Sequence, residues 1–421
     1  MEAERQAVLL FKKWYFMSKN ILIINEYTGS LKHGMTFRHY YLAKEFIQRE
    51  YKTTIVTASY SHFLKKFPDM ENKTYKKEDI DEIKYVWIKV IKYSKSFDKK
   101  RVFKWFEFMI KLFFLDKYLD DKPDVILCSP TALFSILPAY YLSKKYNAKL
   151  IFEVRDIWPL TLVELGGISK KNPLVKLMSW LEKFALEKSD IVVSNLQNYS
   201  SHIKDLGIDK KAYWVSNGIN LDEMKDIEPL PQEVEKEIPK EKFIVGYTGK
   251  LGVSNAIDYL VDTARILKDS KEVYFVIVGN GQEKDKLKLQ AKGLGNIIFI
   301  NSIPKSQVQS MLNLFDVCFI GLHKEKIFKY GVSPNKLFDY MYSAKPIIHS
   351  INTTDDIVSL YNCGISVEAE SSLAIQKAIK KLFEMDKSQR DYLGNNGKNA
   401  VLENFTYSKL AKKYINIIEE K

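Results

Sequence analysis

No apolar run in this 421-residue chain reaches the roughly 20 residues needed to cross a bilayer, so a helical membrane span is not expected. Cysteine is scarce: Cys128, Cys318 and Cys363 stand far apart in apolar surroundings. They show no metal-ligand spacing, and they read as small buried hydrophobes of a cytosolic protein. Neither GxGxxG nor GxxxxGK[ST] occurs, which disfavours a nicotinamide enzyme or a P-loop ATPase. Asp79-Ile80-Asp81 has the bare spacing of a metal-diphosphate motif. It lies in the charged run KKEDIDEIK without glycine or aromatic framing, and reads as a solvated loop. The start, MEAERQAVLLFKKWYFM, lacks a small-residue cleavage site and makes a poor signal peptide; residues 1–17 read as an extension, with Met17 a candidate true start.

What is present is 46% hydrophobic and 28% charged, the balance of a soluble globular protein, and the length favours two domains. The net charge is +13, from 65 basic against 52 acidic residues. Such an excess suits an anionic partner, whether nucleotide, membrane surface or nucleic acid, or else a Lys-rich solvated surface. One segment sharpens the choice. In KKRVFKWFEFMIKLFFLDKY, residues 99–118, Phe103, Phe106, Met109, Ile110, Phe113 and Phe114 recur at helical spacing among Lys99, Lys100, Arg101, Lys104, Lys111 and Lys117. A basic amphipathic helix rich in aromatics can lie in a membrane interface. Lys100, Arg101, Lys104, Phe106 and Phe113 are its candidate contacts; an ordinary core-facing helix with basic flanks is the alternative.

Strand and helix signals alternate through both halves, which argues for doubly wound parallel sheets. The stretch DEMKDIEPLPQEVEKEIPKEK, with three prolines and almost no aromatics, reads as an exposed connection. The expected division is a domain over 18–222, a connecting segment over 223–242, a second domain over 243–387, and C-terminal helices over 388–421 that pack back on the first domain. Both domains open with a strand, a Gly-bearing loop and a helix (NILIINEYTGS and FIVGYTGKLG), and ligands belong at the carboxyl ends of the strands in a shared cleft.

The segment YGVSPNKLFDYMYSAKP, residues 330–346, is the strongest chemical signal. Pro334 suits the first turn of a helix, whose free N–H groups suit a phosphate. Lys336 adds a cation, and Asp339, one turn on, offers a carboxylate to a ribose diol. Gly249-Lys250-Leu251-Gly252 follows a strand; its glycines allow close backbone approach to a diphosphate that Lys250 neutralises, although a structural turn would look the same. In the first half, Gly34 permits unusual backbone geometry, and His33, Arg38 and His39 supply polar reach. Glu153-Val154-Arg155-Asp156 ends a strand. Arg155 and Asp156 either line a cleft or form a structural pair anchoring Trp158. Asn217-Gly218 suggests a turn.

With these residues, the chain resembles a retaining glycosyltransferase of family 4, of the two-Rossmann GT-B fold, in the bacterial surface-polysaccharide branch that includes N-acetyl-L-fucosamine transferases. GMTFRHYYLAKEF, FEVRDIWPLTLVELGG, VSNGIN, VIVGNGQEKDKL and GVSPNKLFDYMYSAKPIIHS carry the likeness. It implies an α/β GT-B enzyme with a nucleotide-sugar donor, UDP-linked by analogy, in the second domain. Lys250 stands at the family's usual Arg and Asn255 at its usual Lys. Of the family's two glutamates, the first becomes Gly331 and the second Asp339. Gly249, Lys250, Asn255, Ser333, Pro334, Asn335, Lys336 and Asp339 would hold the donor, with Ser302 and Ile303 in the turn that reads the base. His33, Gly34, Arg38, Arg155 and Asp156 would meet the acceptor. Lys250, Lys336 and Asp156 are the candidate catalytic residues. No cofactor, no metal and no nucleic-acid partner is implied. The acceptor would be a polyprenyl-diphosphate-linked saccharide at the cytoplasmic face of the membrane. A GT-B nucleotide-sugar epimerase and a non-catalytic lipid- or polyanion-binding module remain alternatives.

Overall fold

The computed structural model describes residues 19–34, 37–94 and 98–420; residues 1–17, Met17 included, lie outside this range. The chain divides into two compact units, 1–215 with 410–421 and 216–409.

The first unit holds an eight-stranded sheet of order β3-β4-β2-β1-β5-β6-β7-β8. Its strands are β1 Asn20–Ile24, β2 Lys52–Ala58, β3 Tyr75–Ile80, β4 Ile83–Ile88, β5 Val125–Cys128, β6 Lys149–Val154, β7 Ile191–Ser194 and β8 Ala212–Trp214. Segments such as VILC and IVVS are buried at every position, as strands covered on both faces must be. All neighbours run parallel except β3, which is antiparallel to β4 with Asp79 opposite Lys84. This corrects the solvated-loop reading of KKEDIDEIK. The charged run is an edge strand, whose exposed charges discourage pairing with another chain. Asp81 is at the hairpin turn with φ 51°, where its carboxylate accepts from the Tyr40 hydroxyl.

Among the helices are α1 Arg38–Ile47, α2 Lys100–Leu112, α3 Ile136–Tyr146 and α4 Pro173–Lys188. The second unit holds a six-stranded parallel sheet of order β11-β10-β9-β12-β13-β14. It comprises β9 Phe243–Thr248, β10 Val273–Val278, β11 Ile297–Ile300, β12 Val317–Gly321, β13 Ile347–Ser350 and β14 Gly364–Val367. The helix Ile257–Ile266 lays Ile257, Leu260, Val261 and Ala264 on this sheet at the spacing of one helical face. Two more helices matter below: α5 Asn335–Tyr342 and α6 Lys387–Asn404.

The division differs from the expected boundaries. It falls at Val215 and Ser216 rather than after residue 222, and residues 223–242 belong to the second unit. There Glu228 bonds Ser306 and Ser310 through its backbone, and Gln232–Glu237 is helical. Of the C-terminal stretch, α6 also belongs to the second unit. A Cβ on Gly394 would lie 1.9 Å from the Ala344 carbonyl oxygen, so glycine there lets α6 press on the end of α5. Only the last helix, α7 Tyr407–Glu419, returns to the first unit, from Leu410 onward.

That return is secured by a buried carboxylate. Glu153 on β6 accepts from Arg38 Nε at 3.0 Å, from His39 Nε2 at 2.7 Å and from the Tyr414 hydroxyl of α7. Burial works to raise its pKa, yet Arg38 and His39 outweigh it and hold the group well below the ordinary carboxylate range. Removing Arg38 leaves this charge buried without its main partner. Arg38→Ala should cost about 3–5 kcal/mol of folding free energy in urea unfolding; a loss under about 1 kcal/mol would refute this role for Arg38.

Candidate functional site

In the second unit the strand order reverses between β9 and β12, and the loop Gly249–Gly252 leaves the carboxyl end of β9 at that point. Gly249 has φ +151°, and a Cβ there would lie 2.9 Å from Lys336 Nζ. Gly279, also at φ +151°, brings the loop after β10 so close that its Cβ would lie 1.8 Å from the Gly249 carbonyl oxygen. The amides of Gly249 and Leu251 donate to Val278 and Asn280 carbonyls at 2.9 Å, so these two are structural. The Lys250 side chain is exposed, with no ion-pair partner among the described residues.

Helix α5 is anchored by Tyr340, whose buried hydroxyl accepts from the Thr248 amide at 2.7 Å and donates to the Thr248 carbonyl at 3.0 Å. One turn earlier on the same face, Lys336 therefore hangs over the end of β9. Its Nζ donates to the Tyr247 hydroxyl at 2.5 Å and to Asn255 Oδ1 at 3.1 Å, and lies 4.1 Å from the Tyr247 ring centroid. No carboxylate neutralises it among the described residues, and desolvation brings its pKa down to about 7. Asn255 also donates to the Lys250 carbonyl at 3.0 Å, so it braces two lysines where the resemblance has a third cation.

Pro334 stands one residue before α5, in extended conformation at φ −69° and ψ 128°, rather than within the first turn. Ser333 is committed to structure: its hydroxyl accepts from the Asn217 amide at 3.1 Å and its carbonyl from the Asn217 side chain at 2.7 Å. Asn335 is exposed at the first position of α5. Asp339 pairs with Lys305 at 2.5 Å, directly after the turn Ser302-Ile303-Pro304. Ribose-seeking acid and expected base turn are thus neighbours, although Lys305 now competes for the acid. Ser302 accepts from Asn280 at 2.9 Å, and Ile303 is half-buried.

The first unit corrects several expectations. His33 is buried: Nε2 bonds Glu78 at 3.0 Å, Nδ1 bonds the Lys66 carbonyl at 2.9 Å, and its ring meets Trp87 edge-on at 4.8 Å. It fastens the β3 edge and does not offer itself to an acceptor. Arg38, spent on Glu153 and the Val215 carbonyl, is likewise structural. Gly34 takes φ +77° in a turn beside Lys65. Arg155 and Asp156 follow β6 and form no ion pair with each other, so the structural pair is not made. Asp156 keeps an exposed edge, yet the protein around it desolvates the carboxyl and raises its pKa, with Arg155 opposing.

The aromatic helix is also corrected. Lys104 is fully buried, and Arg101 turns inward to donate to the Tyr27 hydroxyl at 3.1 Å, so neither flanks a membrane-facing surface. Phe106 is half-buried against Phe134 at 4.5 Å. The outward residues are Lys100, Phe103 at 67% exposure, Ile110, Phe113 and Phe114. Sequence reasoning passed over Tyr247 and Tyr340, which hold Lys336 and α5 in place. Tyr247 stands two residues before the glycine loop, and its position there was the signal available.

Residues 33–223 match the family model Glycosyltransferase Family 4, and residues 231–400 match Glycosyl transferases group 1. The chain is 28% identical over 246 residues to an uncharacterized glycosyltransferase of Methanocaldococcus jannaschii, covering 56% of this chain and 60% of that one. It is 25% identical over 228 residues to the capsular polysaccharide biosynthesis glycosyltransferase CapM of Staphylococcus aureus, covering 52% and 55%. The matches thus span less than two thirds of these relatives. The Anabaena protein HepE, solved in complex with UDP and glucose, superposes with a TM-score of 0.63 at 13% identity over 95% of this chain and 99% of its own. The fold is GT-B, and each half of the chain matches a glycosyltransferase family model.

The Lys336 amine supplies a test of the second unit. An unfolded lysine titrates near 10.5 and this one near 7, so the unfolded chain binds the extra proton between those values. The penalty is complete below pH 7 and fades as pH rises. Urea unfolding of wild type should therefore gain stability from pH 7 to 10 relative to Lys336→Met; parallel profiles would show a solvated, ordinary amine.

Proposed function

We propose that the protein is a retaining, metal-independent glycosyltransferase. It moves an N-acetylated deoxyhexose or hexosamine from a UDP-linked donor to a polyprenyl-diphosphate-linked saccharide in surface-polysaccharide synthesis. The observation that carries the donor reading is the uncompensated, desolvated Lys336 over the glycine loop. A buried cation without a carboxylate is stabilised by an arriving diphosphate. Exposed Lys250 adds the second charge, and the open first turn of α5 adds backbone dipoles. Asp339 accepts from the ribose diol by exchanging Lys305 for it, and the turn at Ser302 and Ile303 receives the base. Gly331, where the family has its first acid, leaves the transferred sugar to backbone contacts.

The reaction needs no side-chain nucleophile. The bond from the anomeric carbon to the diphosphate breaks as the acceptor oxygen bonds the same face of that carbon, and the acceptor proton passes to the departing phosphate oxygen. Lys250 and Lys336 stabilise the charge that grows on the diphosphate. Calorimetry with UDP in EDTA should give binding that Lys336→Ala and Asp339→Ala each weaken by about 1–3 kcal/mol. Transfer is read by mass after incubation with a nucleotide-sugar panel and membrane lipid extract in EDTA. UDP affinity equal in both variants would remove the donor seat. A strict need for Mg²⁺ or Mn²⁺ in transfer would overturn metal independence.

The lipid-linked acceptor implies attachment to the cytoplasmic membrane face. No helix among the described residues is long and apolar enough to cross a membrane. The support is an outward apolar surface on three helices: Phe103, Ile110 and Phe114 of the α2 region, Tyr141 of α3, and Leu177 and Trp180 of α4. Phe113 joins α2 to α3 by packing on Tyr141 at 5.8 Å, and Phe184 bridges Tyr140 and Trp180 at 5.3 and 5.6 Å. Exposed Lys100, Lys117, Lys144, Lys176 and Lys183 lie on the same segments. Anionic lipid would gain both terms, insertion and about 1 kcal/mol per nearby lysine. Phe103→Ser with Trp180→Ser should release the protein from anionic liposomes in cosedimentation while leaving its melting temperature and UDP affinity in place. Wild-type cosedimentation by the double variant would end the membrane reading.

A further inference from the structure

In the first unit the strand order reverses at β1, which has β2 on one side and β5 on the other. Crevices at the carboxyl ends of strands at such a point are where open α/β sheets bind ligands. Asn25 closes the end of β1 by donating to the Ser129 carbonyl at 2.9 Å. The next residue, Glu26, is 3% exposed, and its Oε1 has no hydrogen-bond partner. Lys104 of α2 is 0% exposed and its Nζ is likewise without one; it lies 3.9 Å from the centroid of the Tyr27 ring.

The two form no direct ion pair, yet each is the main opposing charge for the other. Burial raises the pKa of Glu26 and Lys104 opposes it; burial lowers Lys104 to about 8 and Glu26 opposes it. Two buried ions, each without a contacting counter-charge, are costly to keep. The Tyr93 ring lies 5.9 Å from the same amine, and further aromatics pack on Tyr27. Trp105 donates to the Tyr27 hydroxyl at 3.0 Å, stacks on Phe134 at 6.4 Å between centroids, and meets the half-exposed Trp158 edge-on at 5.9 Å.

A carboxylate only accepts, an ammonium only donates, and a hydroxyl does both. We propose that Glu26 and Lys104 hold one hydroxyl of a pyranose acceptor, which donates to Glu26 Oε1 and accepts from Lys104 Nζ. This rests on the glycosyltransferase reading and names the acceptor chemistry within it: a neutral sugar ring recognised through a hydroxyl, at residues not among those the resemblance suggested. Because the pair is enclosed, entry requires its neighbours to shift, Arg101 first, which is partly exposed and lies over the Tyr27 and Trp105 rings at 5.6 and 5.4 Å. Binding therefore perturbs tryptophan fluorescence.

The test titrates the full chain with octyl glycosides of glucose, galactose and N-acetylglucosamine, following tryptophan fluorescence and saturation-transfer NMR. Wild type should bind at least one glycoside. Glu26→Gln and Lys104→Met should each weaken it roughly tenfold or more, the loss of a charged hydrogen bond, with UDP affinity within about twofold of wild type. The Glu26→Gln/Lys104→Met double variant removes both charges, so no buried ion is stranded if a single variant folds poorly. Unchanged glycoside affinity in the double variant overturns the proposal, as does a lowered melting temperature with glycoside affinity intact. Failure of all three glycosides to bind wild type overturns it too. Loss of UDP binding alone, with glycosides still bound and Glu26-dependent, would instead count against the donor seat and leave this site standing.

Discussion

The second unit depends on a lysine amine held without a neutralising carboxylate. Desolvation alone would expel such a group, and three contacts keep it in place. Tyr340 locks α5 to Thr248, which fixes the height of Lys336 above the sheet. Tyr247 presents both its ring and its hydroxyl to the amine, and Asn255 accepts the remaining proton. All of these are neutral, so they orient the cation without cancelling its charge. Glycine at 249 and 279 is then obligatory on steric grounds, because any side chain there would occupy the space of the amine or of the neighbouring carbonyl. Geometry, charge and glycine placement follow from one requirement: a cation presented to a ligand at the end of β9.

Glu153 shows the opposite use of a buried charge. Its oxygens are taken by Arg38, His39 and Tyr414, and the result is a fastened helix with little left for chemistry. The comparison gives a physical criterion for separating function from architecture in this chain. Satisfied buried ions such as Glu153 hold elements together. Charges with no counter-ion in contact, Lys336, Glu26 and Lys104, gather beside the carboxyl ends of strands where the strand order reverses. His33 falls in the satisfied group through Glu78 and Lys66, which is why its polar reach in the sequence led away from its role.

Much of this was legible in the sequence where periodicity and burial agree. The runs VILC and VYFVIV are strands because both faces of a parallel sheet demand unbroken apolar stretches. The SPNKLFD segment showed its helix, its cation and its acid, since those depend on local spacing. The edge strand over Tyr75–Ile80 was not legible, because an exposed antiparallel edge is charged like a loop. Nor was the boundary at Ser216. The Pro-rich stretch after it reads as a linker by composition but is tied to Ser306 and Ser310 by contacts remote in sequence. Arg38 reads as a reaching cation until Glu153, more than a hundred residues away, is placed beside it.

The aromatic helix α2 was ambiguous for a reason internal to its sequence. Apolar and basic residues occur on both of its faces, so the amphipathic pattern has two solutions. In the fold, Arg101, Lys104, Trp105 and Phe108 face the sheet, while Lys100, Phe103 and Ile110 face outward. A lysine goes inside because the ring of Tyr27 accepts its charge, and phenylalanines such as Phe103 and Phe114 stay exposed on the other side. Each assignment reverses the ordinary rule for its residue type. Reversals of that kind cost stability on both faces at once, and a helix that keeps both is shaped by what it meets on each side.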